Sequence, residues 1–402
     1  MAKSILGVPT LKFVLALVAV GIIASGVTFL AVPQISQISG AGGQVVKVGH
    51  LLPATGPLGQ YADGFENGVN AAVQEANALG GIGGRTIQLI EEDTATDPST
   101  AAAGARKLIE VDNVKAIVGG YASSSTLAGA PIAEENGVIM IAPASTSPLV
   151  TDAGDYIFRT APSDSLQGRA MAELALKLGF TKAATIHINN QYGVGLADVF
   201  TEVFEQGGGS VVLSVPYELE RATYRTELSQ IKSANPDIIV DVSYADDGQI
   251  IFREAAELGI SSQLLGSDGI ADPAIFDAPG VAEAIDGMVG TRPSAPETSA
   301  TKHFNSLLSE YGLASGIYSA EAYDAAKMSI LAISMAGPDA SGSEIRDALV
   351  YVSQSYVGAS GEKAYDQNGD VGGQFSIWKV IDGEFVTIGS WNIAAGVEIV
   401  GN

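Results

Sequence analysis

From Val45 onward the chain switches between two hydrophobic periods, and that alternation restricts the folds open to it more than any other feature. "VVKVGHLLP" has the compact apolar pattern of a strand, while "YADGFENGVNAAVQEANALGG" spaces its apolar residues as a helix does and stops on glycines. "RTIQLIEED" reads as a strand, and "DPSTAAAGARKLIEVD" as a helix with Asp97 or Ser99 as its cap and Pro98 in its first turn. "VKAIVGG", "STLAGAPIAEENG" and "VIMIAPA" come next as strand, helix and strand. A second series starts near Ser165 with the helix "SLQGRAMAELALKLG" and the strand "KAATIHIN", and continues to the strand "GMVGTRPS" and three later helices. Strands separated by helices pair in parallel, with right-handed crossovers and helices on both sheet faces. At 402 residues the chain is too long for one ordinary core. The expected fold class is therefore α/β, with two doubly wound parallel-sheet lobes.

The N-terminus carries a different signal. Phe13 to Val32, "FVLALVAVGIIASGVTFLAV", has no charged residue and lies after Lys3 and Lys12. Twenty helical residues span roughly 30 Å, the hydrocarbon thickness of a bilayer, and lysines on the N-terminal side favour export of the rest of the chain. A transmembrane anchor at 13–32 is expected, behind a short flank at 1–12 and before a flexible linker at 33–44. The competing reading, a cleaved signal, needs a small-x-small site that "TFLAVPQIS" offers only weakly. Both readings place the bulk of the chain on the extracytoplasmic face of the cell membrane, anchored or secreted.

Charge and cysteine content remove whole classes of function. A net charge of -24 argues against nucleic acid as a partner, because phosphate binding draws on surplus Lys and Arg. With no cysteine there is no disulfide, thiolate metal site, thiol nucleophile or lipidated cysteine.

Two strands run into hydroxyl clusters. "GGYASSST", Gly119 to Thr126, closes one apolar run, and "GVIMIAPASTS", Gly137 to Ser147, closes the next. Sheets of this kind bind ligands at the carboxyl ends of their strands, where loops enter helix N-termini. Free N–H groups and the positive end of a helix dipole attract a carboxylate there, and hydroxyls add donors without adding charge. Helix capping by the same side chains is the competing reading, and the pattern alone leaves both open.

The stretch "GHLLPATGPLGQYADGFENGVNAAVQEANALGGIGGRTIQLIEEDTATDPSTAAAGARKLI" resembles the opening of the leucine/isoleucine/valine-binding proteins, solute receptors of ABC importers with the type I periplasmic-binding fold. The likeness continues through "AIVGGYASSST", "GVIMIAPASTSPLVT", "YIFRTAPSDSLQG", "NNQYGVGLA", "GSDGIADP" and "AYDQNGDVGGQFSIWKV", and covers nearly everything after Val45. It implies a small-molecule ligand, an amino acid (branched-chain type first) or a related small amide, held between two lobes. It also implies a permease and its ATPase subunits as partners, with no cofactor, no metal and no catalysis. Ser123 and Thr146 would bond the ligand's α-carboxylate, with Ser145 in the same cluster, and the carbonyl of Ala144 would accept from the α-ammonium. Asp268, in the "GSDG" loop, would supply the counter-charge from the other lobe. Tyr61, Tyr192 and Tyr318 match aromatic contact positions.

Departures gather at the other end of the ligand. Asp268 is one methylene shorter than the family's usual glutamate, Tyr121 stands where leucine-type receptors carry an aliphatic residue, and Ser243 with Tyr244 replaces a common aromatic. The resemblance places one lobe at 45–163 and 293–375 and the other at 164–292 and 376–402, with hinges near Pro162, Arg292 and Gln374. A sensing module of the same fold, signalling to a membrane partner, is the alternative role.

Other motifs carry less. "GGIGGRT" comes after a helix and precedes a strand, the wrong order for a dinucleotide loop. "DQNGDVGGQFSI" lacks the glycine and glutamate of a calcium loop. His50, His187 and His303 match no metal spacing and are expected to be structural; Glu91, Glu92 and Asp93 are expected to form a solvated strand edge. No G-x-S-x-G elbow is present.

Overall fold

The computed structural model describes residues 45–400. The expected anchor at 13–32 and linker at 33–44 lie outside the described residues. Among the described residues no helix is long and apolar enough to cross a membrane.

The first sheet is built from β1 (Val46–Leu52), β2 (Ile87–Asp93), β3 (Ala116–Gly119), β4 (Ile139–Ala142) and β5 (Ile157–Arg159), in the order β2-β1-β3-β4-β5. All its pairings are parallel. Helices α1 (Ala62–Ala78), α2 (Pro98–Arg106) and α3 (Ser123–Asn136) supply the crossovers. β3 and β4 are buried along their whole length, as central parallel strands covered on both faces must be. Alternation along β1 shows the two faces: Val46 and Val48 pack with Phe65 and Val69, whereas Leu51 packs with Ala105 and Leu108 on the opposite side. The cap of α2 is Asp97, whose carboxylate accepts from the Thr100 N–H at 2.8 Å.

The chain then crosses into the second sheet through α4 (Asp164–Lys177), β6 (Lys182–Ile188), α5 (Gln191–Gln206), β7 (Ser210–Tyr217), α6 (Arg225–Ala234), β8 (Ile238–Val242), α7 (Ala245–Glu257), β9 (Gln263–Gly266), α8 (Val281–Ala284) and β10 (Val289–Ser294). It returns to cover the first sheet with α9 (Ser299–Tyr311), α10 (Ser319–Ala336) and α11 (Gly342–Ser353). A small ribbon, β11 (Val357–Gly358) with β12 (Gly361–Glu362), precedes the last crossing, and β13 (Gln374–Ile381), β14 (Glu384–Asn392) and β15 (Gly396–Ile399) finish the second sheet.

That sheet runs β15-β14-β13-β10-β9-β8-β6-β7. Its body from β10 to β7 is parallel, and the last three strands add an antiparallel wing that periodicity alone does not separate from the body. Local chemistry explains the wing. Asp382 and Gly383, with φ of 51° and 78°, form the two-residue turn between the paired Ile381 and Glu384, and Asp-Gly is well suited to the left-handed turn that a tight hairpin requires.

A close helix crossing positions one aromatic of the cleft. A Cβ at Gly68 of α1 would sit 2.2 Å from the Ser319 carbonyl, so only glycine lets α10 begin that near. Ser319 Oγ donates to the Gly64 carbonyl at 2.7 Å and fixes the contact. The preceding residue, Tyr318, is thereby held in the left-handed region at φ 56°, a conformation that costs a non-glycine residue about 1 kcal/mol or more and persists only where its surroundings impose it.

Candidate functional site

The carboxyl ends of both sheets face each other across a cleft lined by Ser123, Ala144, Tyr61 and Tyr121 from the first lobe and by Tyr192 and Asp268 from the second. Phe65, Tyr244 and Tyr318 complete an aromatic wall.

The hydroxyl clusters resolve into distinct jobs. Ser123 is the first residue of α3, whose cap position, Ala122, makes no side-chain bond. Its Oγ accepts from the Ser147 N–H at 3.2 Å, so it joins the two clusters and reaches the cleft. Thr126 and Ser145 turn inward: both donate to the Gly120 carbonyl, and their hydroxyls lie 2.6 Å apart. Ser145 therefore braces the loop and is not part of the cleft wall. Thr146 lies just behind that wall, 1% exposed, with an Oγ1 that has no partner. None of the Ser123–Thr126 hydroxyls caps α3.

A feature the sequence reading missed holds this loop in place. Arg159, at the end of β5, is fully buried; its Nε and Nη2 donate to the two oxygens of Asp370 at 2.7 Å each. Its Nη1 donates to the carbonyls of Thr146 and Ser147 at 3.0 Å, and its Nη2 also donates to Thr151 Oγ1 at 2.8 Å. The guanidinium thus points three consecutive carbonyls, including that of Ser145 at 3.4 Å, away from the cleft. Asp370 comes from the "DQNGD" turn, where Asp366 Oδ1 accepts from the Asn368 and Asp370 N–H groups at 2.8 and 3.0 Å. Among the described residues no group of His, Cys, Asp or Glu side chains is placed to hold a metal ion.

The second lobe contributes charge. Asp268 is 3% exposed; its Oδ1 accepts from the Tyr192 hydroxyl at 2.9 Å and its Oδ2 from the Tyr318 hydroxyl at 2.6 Å. Burial raises its pKa, and the two phenols oppose that rise. A Cβ at Gly269 would lie 2.5 Å from the Ser243 carbonyl and 3.0 Å from the Tyr192 hydroxyl, so the loop needs glycine there to bring Asp268 and Tyr192 together. Tyr192 stacks on Tyr244, ring centroids 5.8 Å apart and nearly parallel.

The two halves touch directly. Tyr318 reaches Asp268 from the first lobe, and the Tyr61 hydroxyl donates to the Gly269 carbonyl at 2.9 Å while accepting from the Ala245 N–H at 2.9 Å. Tyr121 takes another course: its ring stacks on Phe65 at 4.2 Å, and its hydroxyl bonds His50 Nε2 at 2.8 Å. His50 is fully buried and its Nδ1 lies 2.9 Å from Glu91 Oε1. That finding refines two expectations, since His50 anchors a cleft residue and Glu91 is more than a solvated edge. His303 pairs on the surface with Glu75 at 2.8 Å, and His187 is buried, its pKa pushed down to about 4 by loss of solvent.

Two α/β sheets whose carboxyl ends meet at a cleft, with hydroxyl donors on one wall and a buried carboxylate on the other, are the arrangement of a solute receptor. The comparisons agree: residues 45–384 match the family model described as periplasmic binding protein. The chain belongs to that family, a solute-binding class that works outside the cytoplasm. It is 33% identical over 250 residues to the Leu/Ile/Val-binding protein of Escherichia coli K12, covering 62% of this chain and 67% of the relative. It is 28% identical over 330 residues to the leucine-, isoleucine-, valine-, threonine- and alanine-binding protein of Pseudomonas aeruginosa, covering 81% and 87%. The solved leucine binding protein from Thermotoga maritima is 31% identical, with a TM-score of 0.80 over 87% of this chain and 99% of that one. A solute binding protein from Rhodopseudomonas palustris in complex with benzoate, 22% identical, shares the fold at a TM-score of 0.77, covering 89% and 98%.

Proposed function

We propose that the chain captures a free amino acid for an ABC importer, closing its two lobes on the ligand and presenting the closed form to a permease and its ATPase subunits. The observation that carries this reading is polarity across the cleft. One wall offers Ser123 and the N-terminal end of α3, with Thr146 Oγ1 unpartnered behind them. The other offers the buried carboxylate of Asp268. A zwitterion needs donors at its carboxylate and acceptors at its ammonium, because either charge buried unpaired is costly. Hydrogen bonds to charged groups are worth about 1.5–3 kcal/mol each, so a few suffice for a molecule of this size. The branched-chain amino acids bound by the relatives, and small amides, are the first ligands to test. Closure would turn on the segments near Pro162, Arg292 and Gln374, between lobes of 45–163 with 293–375 and 164–292 with 376–402. Supporting this, β5 ends at Arg159 and α4 begins at Asp164, β10 ends at Ser294, and β13 begins at Gln374.

The test is titration calorimetry of the standard L-amino acids into the full chain, then into S123A and T146A. Either substitution should weaken the tightest binder at least about tenfold in a protein that still folds, the loss expected from one bond to a charged group. Unchanged affinity in a folded double variant would remove these residues from the site.

A further inference from the structure

One half-buried cation of the molecule is left unmet. Seven of the nine arginines pair with a carboxylate. Arg253 is exposed on α7, where water meets it; Arg292, near the end of β10, is half-buried. Thr291 faces Gln167 of α4, so Arg292 projects from the opposite face of the strand. Among the described residues nothing accepts from its guanidinium, not even the Ser376 hydroxyl opposite it on β13, which is itself unpartnered. Burial pulls its pKa down, and no acid is near enough to oppose that. The chain has 45 acidic residues and places none of them on this arginine. A guanidinium taken from water is costly unless an anion meets it.

Arg292 lines a cavity with Asp272, Ser315 and Glu321, and that cavity shares Asp268, Ile317 and Tyr318 with the cleft. The two spaces are sides of one wall, with Ser123 on the cleft side and Arg292 on the other. The acids of the cavity do not neutralise the arginine. Asp268 is held by two phenols, and Asp272 Oδ1 accepts from the Ala274 N–H at 2.9 Å. Burial raises the Glu321 pKa to about 7, so near neutrality its carboxyl can donate. The cleft itself offers a ligand's side chain little polarity. Beside Ser123 stands the Tyr121 ring, stacked on Phe65 and tied through His50 to Glu91. The hydroxyls of Tyr61, Tyr121, Tyr192 and Tyr318 are all bonded to protein groups.

We propose that Arg292 reads the far end of the ligand, and that the solute is an amino acid whose side chain ends in a carboxylate. The main-chain carboxylate rests on the Ser123 wall, and the side chain runs past Tyr318 into the neighbouring cavity. There the guanidinium fork receives its two oxygens, a geometry that arginine offers and lysine does not. Tyr318 belongs to the first lobe, so on the proposed closure it folds over a side chain already laid against the second. This rests on the amino-acid reading above and narrows it, away from branched-chain ligands and toward acidic ones. An aliphatic side chain in the same place would leave the arginine buried and unmet, which selects against leucine as well as for an acid.

Titration calorimetry of the standard L-amino acids into the full chain is the test, with each acid set against its amide. The wild type should bind aspartate or glutamate at least about tenfold tighter than the matching amide and than leucine, the worth of one bond between charged groups. R292M should abolish the difference between acid and amide. R292K, which keeps the charge without the fork, should keep part of it. R253M, which removes an equal charge from the surface of α7, should keep all of it. Equal binding of acid and amide by the wild type, tighter binding of any other amino acid, or a preference that survives R292M overturns this inference and leaves the functional reading standing. The wild-type comparison needs no variant to fold. A chain that binds no amino acid overturns both readings.

Discussion

The two walls of the cleft are built on opposite plans. The first-lobe wall is neutral and braced. Ser123, Ser145 and Thr126 tie two strand ends together, and the Arg159–Asp370 pair pins the loop behind them. The second-lobe wall is acidic: Asp268 is buried there, with a phenol from each lobe donating to its carboxylate. The backbone of the first wall is fixed by these bonds, so it can receive a carboxylate without rearranging. The second gathers negative charge, which a cation offsets more fully than the two neutral phenols do. On the proposed closure, a solute docked on the first wall gains most at the moment the second wall reaches it.

The sharpest way to break this contrast is to unpin the first wall. R159M removes a buried guanidinium, strips Asp370 of its charged partner and takes one donor from each of three loop carbonyls. A broken buried pair costs about 3–5 kcal/mol, so the melting temperature should fall by many degrees. R159M combined with D370L, which removes both charges, should recover part of that loss. If R159M melts like the wild type, the loop is held by something other than this pair.

Next in size is the charge of the second wall. D268N keeps the shape and one phenolic donor bond, requires the other phenol to turn and accept from the amide, and removes the counter-charge for an ammonium group. Amino-acid affinity should fall by about a hundredfold, the equivalent of two pKa units of charge interaction, while the ligand-free protein should melt no lower, because the uncompensated acid has gone. Calorimetry and thermal melting of the same sample separate the two effects. A variant that binds as well as the wild type would mean that Asp268 faces no cation.

Much of this contrast could be read in the residues, and the unread part has one cause. Strand and helix alternation, the hydroxyl-rich strand ends after Gly119 and Ala142, and Asp268 in its glycine-flanked loop are local signals. The partners of Arg159, Tyr121 and Asp268 are not local. Arg159 meets Asp370 across 211 positions, His50 meets Tyr121 across 71, and Tyr318 meets Asp268 across 50. Such pairs are created by the packing of elements, and no window of sequence contains both members. Asp164 escapes notice for the opposite reason: it sits in the stretch "YIFRTAPSDSLQG" and looks like an ordinary first-turn acid, which is favourable at an exposed helix start. Only its complete burial sets it apart. Ser145, by contrast, looks like a ligand contact from its place in the cluster, yet its bond to the Gly120 carbonyl turns it inward.

The finest distinction concerns the two phenols that share Asp268. Tyr192 belongs to the same lobe as the acid and bonds Oδ1 at 2.9 Å, whereas Tyr318 arrives from the other lobe and bonds Oδ2 at 2.6 Å. Both bonds hold down the pKa of Asp268 against its burial. On the proposed closure Tyr192 stays beside Asp268 when the cleft opens, so Y192F should raise the Asp268 pKa in open and closed forms alike and move the pH profile of binding upward. Tyr318 leaves with its lobe, so Y318F should cost closure without moving the open-state titration. One lost bond to a charged group is worth about 1.5–3 kcal/mol, and water replacing it in the open cleft reduces the net effect, so each variant should lose only about three- to tenfold in affinity. Carbon-detected NMR titration of the aspartate carboxyls in the ligand-free protein distinguishes them. Equal shifts of Asp268 in Y192F and Y318F would show that the lobes stay closed without ligand, and that the asymmetry between the walls does not drive capture.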